Sequence, residues 1–195
     1  MLKPGSLLAR RLRAPMRVRV AESFCATRTW AVGLALAALL ASGLARATVA
    51  PLAPAVPFTV GSRMESTAQM KGHPTLLWRL STWCGSCAAG LQALRSEAAQ
   101  LEMARLHVIV LRNYKNGGYP GPHIRAFVKR FAPALLSEPN WTFGQASLAL
   151  EQAYNGRHYP DIYYLIDATG HIHAVDSAPG ATMNRILRFA VRAAQ

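Results

Sequence analysis

The residues of this chain best suited to chemistry are in Trp83-Cys84-Gly85-Ser86-Cys87. Two cysteines separated by two residues can close a disulfide at the start of a helix. Backbone N–H groups and the positive end of the helix dipole there favour the thiolate of the first cysteine. On that spacing Cys84 is the nucleophile, and Cys87, on the same helical face, can attack a mixed disulfide from within the chain. Half of a zinc site has the same spacing, so the choice between redox and metal chemistry rests on the surrounding elements.

A redox pair of this kind needs a strand that leads into a helix. Residues 75–80 (Thr-Leu-Leu-Trp-Arg-Leu), bounded by His73-Pro74 and Ser81-Thr82, read as a buried strand. Residues 88–106 contain no proline, and Leu91, Leu94, Ala98 and Leu101 recur at helical spacing. One amphipathic helix is predicted there, with Arg95, Glu97 and Glu102 outward. Residues 107–111 predict a second buried strand, parallel to the first across that helix.

Residues 116–122 are a loop by composition, followed by a helix over 123–131 that Pro133 ends. Pro139-Asn140-Trp141-Thr142 opens a further segment, and residues 147–154 predict a short helix ended by Asn155-Gly156. Residues 162–166 read as a strand, 167–170 as a hairpin turn and 171–175 as the return strand. A last helix over 181–193 places Met183, Ile186, Leu187 and Ala190 on one face. Residues 58–72 are mixed, punctuated by Gly61 and Gly72, and no internal repeat is found. The order predicts an α/β domain with a central mixed β-sheet flanked by helices on both faces.

The 195 residues suffice for one well-buried domain and an extra segment. A net charge of +13 first suggests nucleic acid, but eight of the 22 Lys and Arg precede residue 48, against the single acid Glu22. The remainder carries 14 basic and 8 acidic residues, and basic and aromatic residues do not interleave as a single-strand binder requires. No nucleic-acid partner is expected. Residues 1–29 are basic, 30–45 are apolar, and Ala45-Arg46-Ala47 ends the run. This is the order of a secretory signal cut after Ala47, with Met16 as an alternative start. An uncleaved anchor over 30–45 is the competing reading, although the run is short for a span. Either way residues 1–47 are the only membrane contact, and the rest is exported to the periplasm. Residues 48–57, with three prolines, read as an extended tether, and 58–195 as the folded domain. Without the leader and its Cys25 the chain keeps only Cys84 and Cys87, which suits an oxidising compartment.

The domain resembles the thioredoxin superfamily, and within it the exported TlpA-like and ResA-like thiol-disulfide oxidoreductases. The resemblance covers about residues 58–193. It rests on Trp-Cys-Gly-Ser-Cys at 83–87, Lys71-Gly72-His73-Pro74, and Tyr-Pro-Asp-Ile-Tyr-Tyr-Leu-Ile-Asp-Ala-Thr-Gly-His-Ile at 159–172. It implies a thioredoxin-like fold, Cys84 as attacking and Cys87 as resolving thiol, and a Cys84–Cys87 disulfide. Pro160 would be a cis-proline facing that disulfide, with the preceding backbone able to pair with a substrate peptide, and Trp83 would border the site. Protein thiols and disulfides are the implied substrates, a membrane protein the electron donor, and no metal or organic cofactor is required.

Three departures stand out. Trp78 replaces the buried acid expected six residues before the first cysteine, and Glu65, Glu97 and Asp161 cannot be given its role from sequence. Gln92 replaces the expected helix proline, and bulky Tyr159 precedes Pro160. The missing acid leaves open a binding or assembly protein with a purely structural disulfide. His158, His171 and His173 raise a metal or haem site, for which a single cysteine pair is too few ligands. Trp78, Leu91, Leu94, Leu101, Trp141 and Tyr154 read as core, and Arg125, Lys129 and Arg130 as a solvated helix face.

Overall fold

The computed structural model describes residues 50–195, so the expected leader lies outside the described residues. Among the described residues no helix is long and apolar enough to cross a membrane. The chain begins with a hairpin that composition leaves unassigned: β1 (Pro57–Val60) and β2 (Arg63–Ser66), turned at Gly61, whose φ is +62°. Next comes β3 (Thr75–Leu80), buried at every position, the charged Arg79 included.

The helix after the cysteines starts earlier than its apolar spacing indicates and is divided in two. Helix α1 (Gly85–Ser96) and helix α2 (Ala98–Met103) meet at Glu97, whose N–H bonds to Leu94 O one residue short of the helical register. With Gln92 in place of a proline, α1 is continuous through that position. β4 (His107–Arg112) runs parallel to β3. Helix α3 (Ile124–Phe131) stops at Ala132, before Pro133.

Residues 139–142 open into a strand that sequence alone left unassigned, β5 (Trp141–Ala146), parallel to β4 and antiparallel to β1. Gly144 interrupts its apolar pattern for a steric reason: a Cβ there would collide with Thr59 O and lie 2.9 Å from Leu111 Cδ2. Ser147 caps helix α4 (Leu148–Tyr154), its hydroxyl accepting from Leu150 N–H at 3.0 Å. β6 (Asp161–Ile166) and β7 (Ile172–Asp176) form the closing hairpin, and helix α5 (Met183–Ala193) ends the chain.

The sheet has seven strands in the order β2-β1-β5-β4-β3-β6-β7. One face packs Leu76, Trp78, Val108, Val110 and Tyr163 against residues of α1, α2, α3 and α5. The other packs Leu77, Ile109 and Ile166 against Phe58, Met70 and the α4 residues Leu150 and Tyr154. Alternate residues of β3 therefore serve opposite cores, the period-two pattern of a sheet covered on both sides.

The segment expected as a tether is extended but bound to the domain. Ala53 N–H bonds to Gly170 O and Ile172 N–H to Pro51 O, both at 2.8 Å. Thr67 Oγ1 donates to Pro54 O at 2.6 Å, and Tyr154 OH to the same oxygen at 2.7 Å. Its carbonyls thus find donors on the neighbouring turn and helix, and this interaction with the domain is what composition cannot reveal.

Candidate active site

Cys84 is the residue before the first turn of α1, with extended backbone (φ −83°, ψ 122°), and its carbonyl accepts from Ala88 N–H at 3.3 Å. The turn delivering it from β3 is tied in place by Cys84 N–H to Ser81 O at 3.1 Å and by Ser81 N–H to Pro160 O at 2.8 Å. A second clamp comes from the loop after β4. Asn116 Oδ1 accepts from Thr82 N–H at 2.8 Å, and Asn116 O accepts from the Trp83 indole at 2.9 Å. Asn116 is buried and adopts φ +58°, the left-handed conformation that asparagine tolerates better than most residues.

Both cysteines are free thiols in this structure. Cys87 is fully buried, its Sγ 3.4 Å from Pro160 O, while Cys84 Sγ lies 3.0 Å from Ser86 Oγ. Burial, then the neighbouring Asp161 carboxylate, pushes the Cys87 thiol far above the ordinary thiol range.

Asp161 is the acid whose place sequence could not assign. It opens β6 opposite Leu80, which brings its carboxylate to the two sulfurs, so that the three donor groups lie within 4.8 Å of one another. Its Oδ1 accepts from the Trp78 indole at 2.7 Å, and its Oδ2 from Ser86 Oγ at 3.2 Å. Burial raises its pKa against the opposing pull of these bonds. The acid thus occupies the neighbouring strand, and Trp78, standing six residues before Cys84, holds it. A carboxylate opening an apolar strand was the available signal, readable only with the β3–β6 register in hand.

Of the other expected site residues, Pro160 brings its carbonyl to Cys87, Trp83 lines a cavity with Cys84, and Trp83 and Tyr159 are each 45% exposed. Tyr119, 62% exposed, meets the Trp83 ring edge-on at 5.0 Å. The backbone before Pro160 is already engaged internally. Tyr159 N–H donates to Asn155 Oδ1 at 2.8 Å, and Tyr159 O accepts from Asn155 Nδ2 at 2.8 Å and Asn113 Nδ2 at 3.1 Å. Its pairing with a substrate peptide, implied by the family resemblance, would require those bonds to break.

Beneath this loop lies a buried charge. Arg79 donates through Nη2 to Glu151 and, at 2.6 Å, to Asn113 Oδ1. Glu151 also accepts from Tyr114 N–H at 3.2 Å and Asn155 Nδ2 at 3.1 Å, and His158 Nδ1 lies 3.3 Å away. Burial lowers the Arg79 pKa, and Glu151 opposes that effect.

The histidines do not converge: His173 pairs with Asp167 at 2.6 Å, His171 Nδ1 meets Thr169 Oγ1 at 2.7 Å, and His158 lies at Glu151. Cys84, Cys87 and Asp161 form the one group of three metal-type ligands found among the described residues.

No family model matches this sequence, and no curated protein matches it. Solved structures do resemble it. A proposed thiol:disulfide interchange protein DsbE from Chlorobium tepidum superposes with a TM-score of 0.58 at 13% identity, covering 75% of this chain and 98% of its own. A SCO1/SenC family lipoprotein from Bacillus anthracis gives 0.55 at 18% identity, covering 78% and 100%. A secreted Mycobacterium tuberculosis disulfide oxidoreductase homologous to E. coli DsbE gives 0.52 at 18%, covering 70% and 95%. The fold is thioredoxin-like, an α/β fold with a mixed sheet and helices on both faces.

Proposed function

We propose that this chain is an exported thiol-disulfide oxidoreductase that reduces disulfides of protein substrates through Cys84 and Cys87. The observation that carries this reading is the placement of Cys84 immediately before α1, with Cys87 buried beside the carboxylate of Asp161. Cys84, as thiolate, attacks one sulfur of the client disulfide. A Cys84–client bond forms, and the other client sulfur leaves. Cys87 then passes its proton to Asp161 and attacks Cys84 Sγ, so the Cys84–Cys87 bond forms as the second client sulfur leaves. The client gains two electrons and takes up two protons, matching those released by Cys84 to solvent and by Cys87 to Asp161. Regeneration requires a dithiol donor, and for an exported protein its electrons come from the membrane.

One feature supports the reducing direction: strong oxidants owe their potential to a stabilised reduced form, and the Gly85-Ser86 pair supplies no cation or imidazole to stabilise a Cys84 thiolate. Trp83, Tyr159 and Pro160 form the rim against which a client docks. Export rests on the basic, apolar and small-residue order of residues 1–47.

The test is the reduction potential of the pair in the full chain carrying Cys25→Ser, equilibrated against dithiothreitol and glutathione. A value near about −270 mV supports a reductase, and one near about −120 mV overturns that direction. A pair that fails to exchange would leave the disulfide as a structural brace.

A further inference from the structure

Beside Cys84 lies a cavity of about 240 Å³, walled by Trp83, Ala88, Pro122, Phe127 and Phe131, with Arg130 at its edge. The wall is apolar and the edge cationic. The Arg130 guanidinium sits 5.3 Å from the centre of the Phe131 ring, and among the described residues no carboxylate pairs with it. Arg130 is exposed, as its place on a solvated helix face predicts, and it also lines this cavity beside Cys84.

The surroundings have the same charge bias. No acidic residue occurs between Glu65 and Glu97, nor between Glu102 and Glu138. These two stretches supply the turn that carries the cysteines, the Asn116 clamp and α3; of their Lys and Arg, Lys71 packs at Gly170 and Arg79 is buried against Glu151. Lys115, Lys129 and Arg130 are exposed there. Asp161, the carboxylate at the sulfurs, is buried. With the Tyr159 backbone bonded internally, a client must be chosen largely by side chains and charge.

We propose that this face selects protein clients in which a disulfide cysteine adjoins an apolar side chain, seated in the cavity, and a carboxylate that meets Arg130. The proposal rests on the oxidoreductase reading for the reaction, although not for the binding. No groups move beyond those of the exchange already described.

Two disulfide peptides, identical except for Asp or Lys beside a Cys-Phe sequence, test it on the full chain carrying Cys25→Ser. Reduction is followed with dithiothreitol as the recycling donor, and binding is followed with the same peptides bearing serine for cysteine. The acidic peptide is expected to bind and turn over about tenfold better at low salt, with the ratio shrinking as salt rises. Arg130→Glu is expected to narrow or invert that ratio. Equal binding of the two peptides, or a ratio that Arg130→Glu does not change, would overturn the proposal. If neither peptide is reduced, the reaction reading fails while the binding ratio still decides this one. Binding to phosphatidylserine vesicles that disappears with Arg130→Glu would assign the basic face to a membrane and likewise overturn it.

Discussion

Replacing Glu151 by glutamine removes the sole countercharge that the described residues place on Arg79. The Arg79 side chain is 0% exposed and that of Glu151 4%, so water cannot take over the lost interaction. Arg79 is already short of partners, with Nε and Nη1 unbonded. Glutamine can keep the hydrogen bond from Tyr114 N–H, but it leaves a buried guanidinium facing two amide groups. Removing one partner of a buried ion pair typically costs about 3–5 kcal/mol, several times the value of a neutral hydrogen bond. Glu151→Gln is therefore expected to lower the free energy of urea unfolding by about 3 kcal/mol and the thermal midpoint by on the order of 10 °C. Adding Arg79→Met, which removes the stranded charge, should recover most of that loss, because apolar replacement of a whole buried pair is often close to neutral. Asn113 and Asn155 connect this pair to the Tyr159 backbone, so the rate of disulfide exchange is expected to fall in the single variant and recover in the double. A single variant within about 0.5 kcal/mol of the parent, or a double variant no more stable than the single, would refute the reasoning.

Asp161→Asn removes a carboxyl whose pKa burial has raised. The native chain holds that proton to higher pH than the unfolded chain, so the group's contribution is full at low pH and is lost as pH rises above the ordinary carboxylate range. The variant is expected to gain stability over the parent as pH rises toward neutrality, and to resolve a trapped mixed disulfide more slowly; urea unfolding against pH and quenched-flow trapping read the two effects. Asn116→Ala strips the acceptor from Thr82 N–H and the donor to Tyr119 O. It should cost about 1–3 kcal/mol and increase amide hydrogen exchange at Thr82. Gly90→Ala would set a Cβ 2.9 Å from the Trp78 ring. A loss of about 1–3 kcal/mol and a changed Trp78 emission are expected, because the displaced indole also holds Asp161; an unchanged spectrum would count against that coupling.

The legibility of the sequence followed the locality of each signal. β3, β4, α3 and α4 appear within a residue or two of their apolar patterns, because each pattern is complete within its own element. Strand β5 did not, since Gly144 breaks its alternation to admit the Thr59 carbonyl from a strand more than eighty residues earlier. The cysteine pair and its strand-to-helix setting were legible in the sequence, whereas the acid beside it depends on strand register. Asp161 faces Cys87 only because Leu80 pairs with it across β3 and β6. The Arg79–Glu151 pair was hidden for a similar reason: its partners sit 72 residues apart, and neither element's pattern reserves a place for a charge.

The bonds between residues 51–53 and the β6–β7 hairpin also determine where mechanical load acts on the domain. The hairpin caps the Thr75 end of β3, opposite Ile166, while the dithiol turn leaves the Leu80 end, opposite Asp161. Six strand residues, roughly 20 Å, separate the two poles. A pull transmitted through the preceding chain is borne first by the Ala53–Gly170 and Ile172–Pro51 bonds, and then by the Thr67 and Tyr154 bonds to Pro54. A load applied at residue 50 is thus taken up at the pole opposite the dithiol, and the Cys84 turn bears none of it while those bonds hold.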